Sequence, residues 1–246
     1  MKKNINLWNY SIPMVVILIC LLSFVFIDLP DNSEINGAWK FQQGSVEQVL
    51  IISDGYFMHT TFDRINKKLI ESRGGGYKFL GNELEATIEF DIQNKGQIGQ
   101  HVKYNFIAKN NKLSTNLNGK TESWSMLDNG KGSMAGTWRS SGRMQDGKVV
   151  LNPPRARKTF KILTGTRFQW AAINAETKEF FGTGGGAYTF ENGKYSETIE
   201  FFSRDSSRVG VSLTFDGKRD GDLWHHSGMS SKGPPIFEIW KIELKQ

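Results

Sequence analysis

Four histidines, one cysteine and a run of glycines are the residues of this chain best suited to chemistry. The histidines are His59, His101, His225 and His226. Adjacent residues of an extended strand point to opposite faces, so His225 and His226 cannot hold one ion without a third ligand from elsewhere. The cysteine, Cys20, lies inside an apolar stretch, which leaves no disulfide and no thiolate metal site in the rest of the chain. Gly182-Thr183-Gly184-Gly185-Gly186 has the glycine density of a phosphate loop. A Walker loop, however, needs Gly-Lys-Ser/Thr opening a helix, and a dinucleotide fingerprint needs strand, turn and helix. Aromatic residues suited to strands flank this run on both sides. No Gly-x-Ser-x-Gly elbow and no His-Glu-x-x-His pair occurs in the sequence. The expectation is a chain that is not an enzyme, with no catalytic residues, no metal and no cofactor.

Aromatic residues are the stronger signal. Phe168 and Trp170 are two apart and share one strand face, with Arg167 and Gln169 on the other. Phe168, Trp170, Tyr188, Phe201 and Trp224, joined by Arg208 and His226, form a candidate ligand set. Aromatic walls with a few placed polar groups are the composition of a small-molecule pocket. Arg208 would stand near a rim and receive an anionic head; Arg204 and Glu200 are further polar candidates. The rival expectation is a lumen filled by Phe168, Trp170 and Phe201, with outer faces serving as a protein or glycan interaction module. A hydrolase or isomerase comes after both.

These residues belong to a duplicated unit. Adding 111 to a residue number carries Gly74-Gly75, Tyr77, Phe79 and Thr87-Ile88-Glu89-Phe90 onto Gly185-Gly186, Tyr188, Phe190 and Thr198-Ile199-Glu200-Phe201. The register holds from about Val49 to Tyr104. Gly37-Ala38-Trp39 corresponds to Gly136-Thr137-Trp138, and Glu122-Ser123-Trp124 to Glu238-Ile239-Trp240. Two copies are too few for a solenoid, so each unit is expected to close its own core. Period-two alternation and turn residues dominate both copies, giving short antiparallel strands, about nine per unit, in an unbroken meander. In Tyr195–Phe202 the face holding Tyr195, Glu197, Ile199 and Phe201 is expected inside, as are Leu84, Ala86, Ile88 and Phe90 in the first copy. The glycine cluster marks a bulge, a corner or a close backbone approach. Residues 146–157 contain Pro153-Pro154 and are expected to form a loop.

Ahead of the repeat, Ile12 to Ile27 is an apolar run preceded by Lys2 and Lys3. It is longer than a usual signal-peptide core and shorter than an ideal spanning helix. The expectation is an uncleaved signal anchor over residues 1–30, with a cleaved signal peptide as the alternative. Either places units 31–133 and 134–246 outside the cytoplasm. Net charge is +6, concentrated in Arg139, Arg143, Lys148, Arg155, Arg157, Lys158, Lys161 and Arg167. That cluster reads as a solvated linker, and no nucleic-acid partner is expected.

The Gly-x-Trp openings at Trp39 and Trp138, each followed by a β-meander, resemble the calycin superfamily of lipocalins and fatty-acid-binding proteins. The resemblance strengthens in the second unit, at Phe168-Gln169-Trp170-Ala171, Phe201-Phe202-Ser203-Arg204-Asp205, Trp224-His225-His226-Ser227-Gly228 and Ile236-Phe237-Glu238-Ile239-Trp240. There the chain is similar to lipocalin-like domains of membrane-anchored or secreted bacterial proteins. It implies an all-β fold of two tandem up-and-down antiparallel β-barrels. It also implies barrel-closing roles for Trp39, Trp124, Trp138 and Trp240, and a pocket for a small hydrophobic or amphipathic ligand.

Overall fold

The computed structural model describes residues 32–230 and 233–243, and they build two antiparallel β-barrels. The first barrel contains β1 (Gly37–Gln43), β2 (Val46–Ser53), β3 (Tyr56–Asp63), β4 (Lys68–Leu80), β5 (Glu83–Asp91), β6 (His101–Lys109), β7 (Lys112–Thr115) and β8 (Glu122–Asp128). Neighbours in sequence pair, and β8 returns to β1. The second comprises β9 (Gly136–Gln145), β10 (Lys148–Leu151), β11 (Arg157–Leu163), β12 (Arg167–Asn174), β13 (Glu179–Glu191), β14 (Lys194–Phe202), β15 (Ser212–Asp220), β16 (Leu223–Met229) and β17 (Pro235–Ile242). β9 pairs with both β11 and β17 and closes this barrel. The expected anchor over residues 1–30 lies outside the described residues. Among those described, no helix is long and apolar enough to cross a membrane.

Two local expectations change. Residues 148–151 do not join a loop; they fold back on Gly142–Gln145 as a hairpin arm. Asp146 and Gly147 turn it with φ of 51° and 72°, the left-handed pair that matches strand twist in a tight hairpin. Pro153-Pro154 then ends the pairing. Of the bulge, corner or close approach expected at the triple glycine, the corner does not occur: β4 and β13 are each 13 residues long and run through it.

That glycine run creates the structure's main irregularity. Gly75 pairs with Ile88 while Gly74 pairs with Phe90, so Glu89 is an extra residue in β5. In the second barrel Gly186 pairs with Ile199 and Gly185 with Phe201, leaving Glu200 extra. A Cβ on Gly75 would lie 1.9 Å from the Thr87 carbonyl oxygen, and one on Gly186 2.0 Å from that of Thr198. Only glycine permits this approach. A one-residue bulge reverses the alternation of everything beyond it. Tyr195, Glu197 and Ile199 therefore face inward as expected, but Phe201 faces out, and so does Phe90.

Outward-turned Phe90 and Phe201 join a third apolar cluster between the barrels, with Val49, Ile51, Met58, Phe62, Phe160, Ile162, Ala171 and Ile173. Phe201 stacks 5.1 Å from Phe62, and Tyr56 meets Phe160 edge-on at 4.6 Å. Both barrels thus offer equivalent strands, β2–β3 and β11–β12, to the same seam. Its polar centre is Gln169. The amide donates to Ser72 Oγ and Thr183 Oγ1 at 3.0 and 3.1 Å and accepts from Thr60 Oγ1 at 3.0 Å. Lys158, expected in a solvated linker, instead pairs with the bulged Glu89 at 2.7 Å. Arg167 pairs likewise with Glu200 at 2.6 Å.

Each barrel also has its own interior cluster. Trp39 Nε1 donates to the Ile35 carbonyl at 2.9 Å, and Trp138 Nε1 to that of Met134 at 2.8 Å. The two opening tryptophans thus close equivalent barrel ends in the same way. Trp124 is buried against Phe41. Trp138 and Trp240 do not stack directly, because Trp224 stands between them, 5.8 and 5.9 Å from each.

Produced separately, residues 31–133 and 134–246 are each expected to give dispersed amide NMR spectra, because each contains a closed barrel. Each should also melt below the intact chain and self-associate through the bared seam. In the intact chain, Phe160→Ala should cost about 3–5 kcal/mol, as is usual for a fully buried aromatic. Separate halves that match the stability of the whole would show that the seam contributes nothing.

Candidate functional site

The second barrel encloses a cavity of about 290 Å³, open at one end. That is at the lower edge of the ~300–1,000 Å³ typical of ligand sites. Its walls are Phe168 and Trp170 of β12, Ile199 and Phe202 of β14, Leu213 and Phe215 of β15, and Ile236 and Trp240 of β17. Polar groups reach it from β11, β14, β16 and β17: Lys161, Glu197, His226 and Glu238. Arg204 stands at the mouth, 5.5 Å over the Trp170 ring, with its Nε donating to the Phe181 carbonyl at 2.9 Å.

Lys161 is only 4% exposed, although the sequence placed it in a solvated basic linker. β11 alternates: Phe160 and Ile162 face the seam while Lys161 and Leu163 face the lumen. Lys161 Nζ bonds Glu197 Oε2 at 3.2 Å. It also lies 5.2, 5.0, 5.3 and 5.5 Å from the ring centres of Phe168, Tyr195, Trp224 and Trp240. An ammonium in this cage exchanges water for ring faces and one carboxylate. Burial, then the charge of Glu197, raises the Tyr195 hydroxyl well above its ordinary value, so it keeps its proton.

His226 Nδ1 lies 3.2 Å from Glu238 Oε2, and Trp240 Nε1 donates to that same oxygen at 3.0 Å. Burial pushes Glu238 up, but the His226 hydrogen bond and charge, Lys161 and Trp240 outweigh it and hold the carboxylate below its usual range. An ionised carboxylate only accepts, so Nδ1 carries the proton and Nε2 presents a lone pair. His226 is 3% exposed, and its Nε2 has no hydrogen-bond partner.

Of the sequence-chosen residues, Phe168, Trp170 and His226 line the cavity together. Trp224 does not line it; it is fully buried, with its ring 5.3 Å from Lys161 Nζ. Tyr188 is buried elsewhere in the interior and donates to the Thr164 carbonyl at 2.6 Å. Phe201 belongs to the seam, turned there by the bulge at Glu200. Arg208 lies outside the barrel in the short 3-10 turn Ser206–Arg208, paired with Asp205 at 3.3 Å. The predicted strand there begins only at Ser212, so Arg208 is not a rim residue. Of the further polar candidates, Arg204 lines the cavity and Glu200 does not; Lys161, Glu197, Phe202 and Glu238 join it without having been chosen from the sequence. Period two in β11 could have placed Lys161 inward, because Phe160 and Ile162 claim the other face.

The first barrel is an internal comparison. By register, Lys161, Glu197, Trp170, Gly184, Phe202 and His226 correspond to Leu50, Ala86, His59, Arg73, Asp91 and Thr115. His59 is buried with Nε2 2.9 Å from Gln48 Oε1 and its ring 5.6 Å from Trp124. Arg73 donates to the Leu117 carbonyl at 2.6 Å and lies over Tyr104. Trp170 and Phe202 pack directly on Gly184 in the second barrel, whereas Arg73 and Asp91 line a polar cleft of about 600 Å³ in the first. Among the described residues, no group of His, Cys, Asp and Glu could hold a metal ion. The chain matches no protein-family model and no curated protein.

Burial lowers the His226 imidazole below its ordinary value, against the pull of Glu238. Burial first, and Arg73 second, holds His59 well below it. Unfolded imidazoles take up a proton near ~6.5, so below that pH the unfolded chain binds more protons than the folded one. Stability is therefore full above about 6.5 and falls as pH drops toward the folded values. The urea midpoint should hold between pH 7 and 8 and decline from 6.5 to 5. The variant His59→Gln/His226→Gln should lose most of that decline. A wild-type midpoint unchanged down to pH 5 would refute the neutral, buried imidazoles.

Proposed function

We propose that the second barrel is a non-catalytic binding module for a small, partly apolar molecule. In this reading the apolar segment Ile12–Ile27 carries it outside the cytoplasm, and the first barrel is a structural copy. One observation carries the binding role: the same backbone occurs twice, and only the second copy sets Lys161, Glu197 and His226 among aromatic walls, where the first has Leu50, Ala86 and Thr115. A buried ion pair contributes little stability and is often worse than apolar residues of similar volume. Leu50 and Ala86 fit the positions of Lys161 and Glu197 in the first barrel, so the fold does not require the pair. An aromatic cavity that keeps a lysine, two carboxylates and a histidine with one free nitrogen has the make-up of a ligand site.

A second reading rests on His226 alone. A neutral imidazole oriented by a carboxylate, with Nε2 facing a cavity, is the arrangement of a general base. The cavity would then serve proton abstraction, as in an isomerase. Turnover lost in His226→Gln while binding persists would favour this reading.

The binding reading is tested by native mass spectrometry of the chain purified from its own host. A small molecule should be retained and released on unfolding. Trp170→His/Gly184→Arg/Phe202→Asp writes the first barrel's three residues into the second. It should abolish retention while leaving the chain folded, since it removes both rings that a Cβ on Gly184 would meet. If the folded wild type retains nothing and no single-ring probe saturates it, the interaction-module reading replaces this one.

A further inference from the structure

We infer that the molecule held in the second barrel is neutral or cationic, carries one apolar ring, and presents an O–H or N–H to Nε2 of His226. This rests on the binding reading above and names the ligand's chemistry.

Three observations converge. First, Nε2 of His226 is a buried acceptor without a partner, and its tautomer is fixed by Glu238 on the other nitrogen. A buried acceptor left unpaired is destabilising, and a ligand donor would relieve it. Second, the charged groups facing the lumen do not balance. Lys161 is matched by Glu197. Glu238 receives only the neutral donors of His226 and Trp240 at Oε2, and its side chain is 38% exposed. Below the mouth, the lumen therefore holds one carboxylate more than it holds cations. The remaining cation, Arg204, is exposed at the mouth, with its Nε already committed to a carbonyl. An anion entering would give up its water and meet an excess negative charge. Third, the remaining wall is hydrocarbon and ring faces, from Phe168, Phe202, Leu213 and Phe215. A volume of about 290 Å³ admits one ring with its substituents and not a long acyl chain. An anionic amphiphile, which Arg208 would have received, therefore does not fit.

The test uses the intact chain, nitrogen-15 labelled, titrated by NMR with phenol, anisole and benzoate. The three share a ring and differ in donor and charge. Phenol should bind at least about tenfold more tightly than anisole, the factor worth roughly one well-made hydrogen bond. Benzoate should be weakest. Phenol, and not anisole, should shift the His226 Nε2 resonance upfield, which reads the bond directly even if substitutions disturb folding. In His226→Phe the preference for phenol should vanish. If anisole matches phenol, or benzoate binds most tightly, this inference is overturned and the cavity still binds. If none of the three saturates, the inference fails together with the binding reading beneath it.

Discussion

Two close backbone approaches, Gly75 to Thr87 and Gly186 to Thr198, set the plan of this chain. Each admits an extra residue into a strand, Glu89 in β5 and Glu200 in β14, and so reverses which way the strand's later side chains face. Before the bulge, Tyr195, Glu197 and Ile199 fill the lumen. After it, Phe201 enters the seam and Phe202 turns to the cavity wall. One strand therefore furnishes both the interior of its own barrel and the surface that docks the other. The bulged glutamates are not idle, since each meets a cation of β11 or β12, Lys158 or Arg167. No residue with a side chain fits Gly75 or Gly186, which accounts for their appearance in both copies.

Much of the architecture was legible in the sequence. The 111-residue offset revealed the duplication, the paired Gly-x-Trp and Glu-x-Trp landmarks located the closing strands, and alternation gave the β class. Strict alternation was also what misled. It carried Phe201 inward, since a bulge appears in sequence only as a glycine on the neighbouring strand. Charge, not alternation, placed Lys161 in solvent, because a lysine among basic residues looks exposed; the aromatic cage that accepts it is assembled from β12, β14, β16 and β17, far off in sequence. Arg208 was expected near a rim, and Val209 and Val211 beside it alternate as strand residues do. Asp205 and Ser207 instead cap a 3-10 turn there.

The two copies solve the same packing problem in opposite ways. In the first, Leu50, Ala86 and Leu113 complete an apolar interior, and Arg73 reaches across the opening to the Leu117 carbonyl. In the second, glycine at position 184 lets Trp170 and Phe202 close over it, beside a charged cluster. Polar groups there are held by one another and by ring faces. Of the polar groups lining the cavity, His226 keeps a buried nitrogen, Nε2, without a hydrogen-bond partner.

The seam has a thermodynamic consequence. Opening either barrel alone would bare Phe160, Ile162, Phe62 and Phe201 and sever the Gln169 network, a penalty that scales at roughly 25 cal/mol per Å² of apolar surface. Partial unfolding is thereby suppressed, and the two halves share one free-energy reservoir. Whatever occupies the second lumen raises the unfolding free energy of both halves by mass action. Protection of amide protons from exchange in β2 and β3 would then report on events in a cavity that neither strand touches.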